Sequence, residues 1–544
     1  MREPSGLFQR RIVIGAVICV AAFVLVVVRL VDVTLMRGDG MGARAARIAM
    51  ARADLVDRKG ELLARDLPVS DLYARPHVFW DKKEAAHELA RATGASEARL
   101  QAAFAGAKHP YVLVDRQLTP DTVDKVMKLG LPGLEFEPGA KRYYPDGRAS
   151  AQLVGVTDPD NRGLSGLELG LQQKLRPEGA DAAPAPVTTS IDKRVQYILA
   201  HEVETSRQLF TARAAGGLVM DVNSGEVIAM ISLPDFDPNL RALSAGDSTR
   251  NIMAQDVYEL GSVFKIFSFA LAFQDRTMHL DEIFKIGQGY KIGKFTIHEA
   301  EHMPETLAAR DVLAQSSNIG TAQIALRSGG ARQRAFLSNL GLLAPMRSEL
   351  PESARPLIPR NWGTIETATV GFGQGISVTP LSFAAAAASI VNGGRQITPT
   401  FVKQDGDRRG RQMIPQDVSD SMRGLLRYVV TNGTGRKADI AGYDVGGKTG
   451  SAQVPGPHGG YIPHALRTSF VAAFPMDKPR YLVFVLLDQP HGIAATGGFA
   501  LAGQTAAPLA GRVIARIAPL LGVPNTAPSA LPPAGITLAA VAPQ

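Results

Sequence analysis

The chain has 544 residues, 45% of them hydrophobic and 20% charged, which predicts more than one domain and excludes both wholesale disorder and a collagen-like chain. A single cysteine, Cys19, excludes an intramolecular disulfide framework and any cysteine-based zinc cluster. The net charge of +8 comes from 59 basic and 51 acidic residues interleaved along the chain, and the densest basic cluster (407–411) lacks aromatic neighbours, so no nucleic-acid partner is expected.

In chain order, the first feature is Ile12–Val28, seventeen uncharged and almost wholly apolar residues preceded by Arg2, Arg10 and Arg11. At 1.5 Å per residue this run covers about 25 Å, close to a bilayer core once flanking residues are added. It exceeds a usual signal-peptide core and no small-x-small cleavage site follows, so an uncleaved anchor over 12–35 is expected, with 1–11 in the cytoplasm. Residues 36–178 mix strand-like pieces (53–56, 111–114) with polar helical stretches such as Lys82–Thr93. A Pro-, Ala- and Gly-rich segment marks a linker at 179–187. Beyond it come a helix at 191–209, two strands at 217–221 and 227–232, and a long helical region from about 252 to 440. Three strands (444–454, 469–474, 481–487) and a helix over 504–521 complete a domain at 188–522. Because the strands come in hairpins, the fold class is α+β: an antiparallel sheet flanked by helices, with a helical lobe inserted. The tail 523–544 is expected to be disordered.

Four motif patterns occur, and context separates them. His298-Glu299-Ala300-Glu301-His302 fits the zinc-protease pattern, but that chemistry needs a helix, and Pro304 follows a strand-like 291–297. These residues are therefore expected to form a polar loop, and no metal is expected. Gly442–Thr449 fits the phosphate-binding P-loop, yet no buried strand precedes it and no helix start follows, so nucleotide binding is rejected. S-x-x-K occurs at Ser190–Lys193, where Ser190 is expected to cap a helix, and at Ser262–Lys265, which runs into the apolar stretch 266–273. At the second site the helix dipole favours negative charge on the serine oxygen, and apolar surroundings lower the lysine pKa towards that of a useful base. Capping is the alternative there too.

Ser316-Ser317-Asn318 and Lys448-Thr449-Gly450 complete an ordered set of S-x-x-K, S-x-N and K-T-G. That set is similar to penicillin-binding proteins and serine β-lactamases. The segment RADLVDRKGELL from Arg52, Arg142-Tyr143-Tyr144-Pro145 and Gly163–Glu168 resemble the non-catalytic motifs of class B penicillin-binding proteins. So do TTSIDKRVQ from Thr188 and LPDFDPN from Leu233, and the region after Arg467 resembles the division-specific FtsI branch. Leu260 and Val263 stand where Pro and Thr are common, Ala53 replaces a Gly, and Ser451 replaces the usual Thr.

The resemblance implies a penicillin-binding transpeptidase domain on an elongated N-terminal pedestal, and a D,D-transpeptidase that cross-links peptidoglycan stem peptides ending in D-Ala-D-Ala. Ser262 is the implied nucleophile and Lys265 its proton acceptor. Ser316 is the implied proton relay to the leaving D-Ala, and Asn318 the holder of the peptide amide. Lys448 would supply positive field, and Thr449, Gly450 and Ser451 would bind substrate. The amides of Ser262 and Ser451 would form the oxyanion hole. The resemblance further implies β-lactam binding, no cofactor, an inner-membrane location with a periplasmic catalytic domain, and partners such as an FtsW-type septal glycosyltransferase and other divisome proteins. An elongation-specific enzyme, a membrane-bound β-lactamase and a penicillin sensor are the alternatives; no E-x-x-L-N segment of a deacylating lactamase lies between Ser316 and Lys448.

Overall fold

The computed structural model describes residues 5–31, 52–106, 109–177, 184–240, 248–456 and 459–526. Residues 5–31 form a helix, Ser5–Val31, whose described side chains between Val13 and Val28 are exposed. Among the described residues no helix is long and apolar enough to cross a membrane. The span expected at 12–35 is thus not confirmed, and its last residues, 32–35, lie outside the described part.

The N-terminal region is built on one long strand, Leu62–Ala74, paired antiparallel with Val112–Leu118, Leu134–Tyr143 and the short Leu55–Val56. The helix Lys82–Thr93 falls where its pattern predicts. Asp81 accepts hydrogen bonds from the amides of Lys83 and Glu84 at its start, and Gly94 ends it at φ +79°. Its Ala86 and Leu89 pack with Leu72, Leu100, Phe104 and Val114 into a local core. Below that core, three of the non-catalytic motifs converge on one buried ion network. Glu168 accepts from Arg52 Nε at 2.6 Å and Arg142 Nε at 2.7 Å, and Arg142 also reaches Asp66 at 3.0 Å.

The second region carries a five-stranded antiparallel sheet. Its strands are β1 (Ala214–Asp221), β2 (Val227–Leu233), β3 (Gly446–Pro455), β4 (Tyr461–Phe474) and β5 (Tyr481–Asp488), in spatial order β3-β4-β5-β1-β2. Both faces are covered, so β5 reads as one apolar run rather than an alternation. Val483, Val485 and Leu487 pack against helices α1 (Lys193–Leu209) and α6 (Ala506–Ile517), through residues such as Leu199 and Val513. Leu482, Phe484 and Leu486 face the inserted helices α2 (Lys265–Gln274), α4 (Pro380–Val391) and α5 (Gln416–Asn432). Between α2 and α4 lies α3 (Asn318–Ser328). An aromatic chain joins α2 to the sheet. Phe264 and Phe267 meet edge-on at 5.2 Å, Phe267 meets Phe383 of α4 at 5.5 Å, and Phe383 meets Phe484 at 5.4 Å.

Three expectations change. Ser190 does not cap α1: its hydroxyl donates to the carbonyl of Val227, and Asp192 is the cap, accepting from the amide of Arg194. Val187, expected within the linker, already pairs in parallel with Leu55. The mostly helical region from 252 to 440 also holds two small two-stranded sheets, and one of them, Tyr290–Ile292 with Phe295–Ile297, covers the strand-like 291–297. Val523, expected in a disordered tail, is buried, and the amide of Thr526 donates to the carbonyl of Gly442; residues 527–544 lie outside the described part.

Candidate active site

Ser262 sits on a 3₁₀ turn, Gly261–Phe264, that feeds directly into α2, whose first residue is Lys265. The turn abuts strand β3 at the sheet edge. Gly261 adopts φ +60°, and a Cβ placed there would lie 3.0 Å from the carbonyl oxygen of Ser451. A Cβ on Gly450 would lie 2.6 Å from the carbonyl of Leu260. The K-T-G glycine is therefore what lets the Ser262 turn lie against the strand.

Ser316 lies between a short helix, Ala309–Ala314, and α3, and its φ of +65° is uncommon for a residue with a side chain. That conformation turns its carbonyl and its hydroxyl to the same amine. Lys265 Nζ reaches the Ser316 carbonyl at 2.5 Å, the Ser316 Oγ at 3.1 Å and Asn318 Oδ1 at 2.9 Å. From the other side, Lys448 Nζ reaches the same Oγ at 3.0 Å and the carbonyl of Thr449 at 3.0 Å. One hydroxyl thus lies between two lysines, both 0% exposed.

Burial penalises a charged amine. It draws the Lys265 pKa down to about 7, with Glu299 pulling the other way. Lys448 is also well below its ordinary value, first through burial and then through Lys265. Thr449 and Ser451, with Gly450 between them, are held in place by neighbours. Thr449 Oγ1 lies 2.6 Å from Thr434 Oγ1, and Ser451 Oγ accepts from the amide of Ala502 at 3.1 Å. Because Ser451 Oγ is an acceptor in that contact, its own proton is free to donate outward.

The eight residues singled out by the sequence come together here: Lys265, Ser316, Asn318, Lys448 and Thr449 through the hydrogen bonds above, and Ser262, Gly450 and Ser451 through the packing of the Ser262 turn on β3. The two misleading motifs resolve as their contexts predict. Residues 298–302 form a loop after a hairpin, and Lys448-Thr449 lie on a strand that continues as a strand, with no helix to receive a phosphate.

Comparison with known families fits this geometry. The penicillin-binding protein transpeptidase domain matches residues 215–511, and the penicillin-binding protein dimerisation domain matches 47–180. The chain belongs to the class B penicillin-binding proteins. Among relatives of this family, the probable peptidoglycan D,D-transpeptidase FtsI of Caulobacter vibrioides is 40% identical over 497 residues, covering 89% of this chain and 84% of its own. The peptidoglycan D,D-transpeptidase FtsI of Escherichia coli is 28% identical, covering 92% of this chain and 88% of its own. The crystal structure of penicillin-binding protein 3 from Mycobacterium tuberculosis, complexed with aztreonam, superposes with a TM-score of 0.70 at 23% identity, over 88% of this chain and 98% of that one. That likeness shows the fold: a penicillin-binding protein transpeptidase domain, mixed α+β, behind an N-terminal dimerisation-type domain.

Three residues beside the three motifs of this penicillin-binding protein escape the motif pattern. Thr434 touches Thr449 from the loop after α5, and Glu299 reaches the head of α3. Glu259, three residues before Ser262, accepts from the amide of Gly375 and the hydroxyl of Tyr461, both at 3.0 Å, and burial raises its pKa. Only Glu299 carried a sequence signal, as the glutamate of a pattern that points to different chemistry.

Proposed function

We propose that this chain is a peptidoglycan D,D-transpeptidase of septal cell-wall synthesis, which cross-links stem peptides through a Ser262 acyl-enzyme and is acylated by β-lactams at the same serine. The observation that carries the reading is the Ser316 hydroxyl held between two buried amines, Lys265 and Lys448, beside the Ser262 turn. Ser262 Oγ attacks the carbonyl between the two terminal D-alanines, and its proton passes to neutral Lys265. Collapse of the tetrahedral adduct breaks the C–N bond, and Ser316 hands a proton to the departing D-Ala amine. The amine of a second stem peptide then attacks the acyl carbonyl, restoring Ser262 and forming the cross-link. The Ser262 and Ser451 amides receive the oxyanion, worth about 3–4 kcal/mol per donor. Asn318 holds the peptide amide, while Thr449 and Ser451 hold the terminal carboxylate next to Lys448. No cofactor takes part.

The domain plan is a cytoplasmic tail at 1–11, an anchor at 12–35, a pedestal at 36–178, a linker at 179–186, a transpeptidase domain extended to 187–526 by the pairing of Val187 and the burial of Val523, and a C-terminal tail beyond it. The uncharged run Ile12–Val28 and its exposed Val, Leu and Phe side chains support a single-pass tether in the inner membrane, with the catalytic domain in the periplasm. An FtsW-type glycosyltransferase and other divisome membrane proteins are the partners this placement fits.

The test uses the full-length protein in detergent with a labelled β-lactam, beside Ser262→Ala. A stable adduct in the wild type that Ser262→Ala abolishes, together with cross-linking of stem peptides, is the expected result. Rapid turnover of the label would make the protein a β-lactamase, a stable adduct without cross-linking would make it a sensor, and label independent of Ser262 would end the acyl-enzyme reading. Filaments rather than spheres on depletion would mark the septal role.

A further inference from the structure

The zinc-protease-like segment leaves a carboxylate with no assigned purpose, and the geometry gives it one. Glu299 accepts from the Ser317 hydroxyl at 2.5 Å, the Asn318 amide at 2.8 Å and the Ile319 amide at 3.0 Å. The Ser317 hydroxyl accepts in turn from the Gly320 amide at 2.9 Å. The first amides of the 11-residue α3 are thereby satisfied by a side chain from another segment, at the end where the helix dipole favours a negative charge. Its neighbour adds to the grip: Asn318 Nδ2 donates to the carbonyl of His298 at 3.4 Å. Asn318 is therefore gripped at its backbone by Glu299 and at its amide nitrogen by His298. Its Oδ1 is left facing Lys265 Nζ at 2.9 Å.

We propose that Glu299 is a positioning residue for the transpeptidase reaction: it clamps Ser317-Asn318-Ile319 so that Ser316 and Asn318 meet Lys265, and its negative charge acts on that lysine across Asn318. This rests on the acyl-enzyme reading above. The charged groups bearing on Lys265 are Glu299 from the loop and Lys448 from β3; Ser316, Asn318 and the Ser262 turn present only neutral groups. Glu299 opposes the effect of burial on Lys265. Glu299→Gln removes that opposition, so Lys265 gives up its proton at lower pH. The amide also offers only one acceptor where the carboxylate offers two, so the clamp loosens.

The experiment measures β-lactam acylation of the full-length protein across pH, separating the first-order acylation constant from the initial binding constant. For Glu299→Gln, the acid limb is expected to move to lower pH, and the plateau acylation constant to fall by about ten- to a hundredfold while initial binding holds. The midpoint of the limb does not depend on how much enzyme is folded, so a merely stabilising Glu299 would leave it unmoved. An unmoved midpoint overturns the proposal. Glu301→Gln, an exposed neighbour on the same loop, is expected to behave as wild type. Should Glu299→Gln give no active protein, Glu299→Asp, which keeps the charge, is expected to show the wild-type midpoint with a reduced plateau; a lowered midpoint there overturns the proposal. Failure of the wild type itself to label at Ser262 would instead overturn the acyl-enzyme reading.

Discussion

Glu168→Ala should destabilise the protein far more than an ordinary point change, without touching the chemistry. The Glu168 side chain is 0% exposed and lies between Arg52, also 0%, and Arg142, 1%. Its removal leaves two buried guanidinium groups opposite a single acid, Asp66, which bonds Arg142 at 3.0 Å. Breaking a buried pair costs about 3–5 kcal/mol, mostly through the charge left uncompensated. Arg52 keeps three acceptors, the carbonyls of Asn161 and Glu168 and the Gln172 side chain. The lower end, about 3 kcal/mol, therefore applies, or roughly a hundredfold in the folding equilibrium. The assay is denaturant unfolding followed by circular dichroism for wild type, Glu168→Ala and Glu168→Gln, with β-lactam labelling of the folded fraction. Gln, which can accept from one arginine, should fall between the other two, and labelling per folded molecule should stay at the wild-type level. Adding Arg52→Met to Glu168→Ala should cost less than adding it to the wild type, because the orphaned cation is then gone. A loss under about 1 kcal/mol for Glu168→Ala would refute the claim that these motifs hold the pedestal through paired buried charge.

Other outcomes follow from the cleft. In the proposed mechanism Lys265 is neutral when it accepts a proton, so acylation should persist above pH 7 and fall as pH drops through about 7; a limb near 10 would show that the buried amine keeps its ordinary affinity. Lys265→Arg should abolish acylation at every pH, since a guanidinium does not release its proton. Thr434→Val removes the partner at 2.6 Å from Thr449 and should slow acylation about fivefold to tenfold, with little further loss when Thr449 is already Val. Additive losses would mean that the two hydroxyls act separately. Gly450→Ala should cut acylation on the order of a hundredfold with the fold intact, because its Cβ would press the Leu260 carbonyl at 2.6 Å; near-normal rates would show that the turn can retreat at no cost.

What the sequence makes legible follows from how each feature is encoded. The three motifs are short, and each keeps its residues on one turn or strand, so residue type and spacing suffice to pick them out. The helix Lys82–Thr93 is legible because its cap and its terminating glycine are adjacent in the chain. Strand β5 shows as an apolar run because both its faces are buried. Features made by distant partners are not legible. Ser190 has the residue type and position of a cap, but its hydroxyl is claimed by the carbonyl of Val227 on β2. Val187 reads as linker because its partner, Leu55, lies far back in the chain. Glu299 reaches α3 only because the hairpin 290–297 delivers it there, and Thr434 meets Thr449 only after α5 has packed against β3. The left-handed backbone of Ser316 has no sequence mark either, since no glycine stands there.

That backbone conformation bears on why the site uses two lysines. Two amines 3.0–3.1 Å from one hydroxyl cannot both stay protonated cheaply. Amines so placed are at most about 6 Å apart, where like charges repel by about 3 kcal/mol or more at an effective dielectric of about 20, and burial adds to that. The free cleft therefore favours fewer than two protons on the pair. In the proposed reaction a substrate or β-lactam carboxylate seated at Thr449 and Ser451 changes the balance, because a neighbouring negative charge favours the protonated form of Lys448. In the proposed mechanism Lys448 then supplies the positive field, and its charge further disfavours a proton on Lys265, the first residue of the helix that follows the Ser262 turn. On this account the carboxylate both docks the substrate and places the proton where it leaves the base free. An arginine in the K-T-G position would be charged before any carboxylate arrived, and the coupling between binding and activation would be lost.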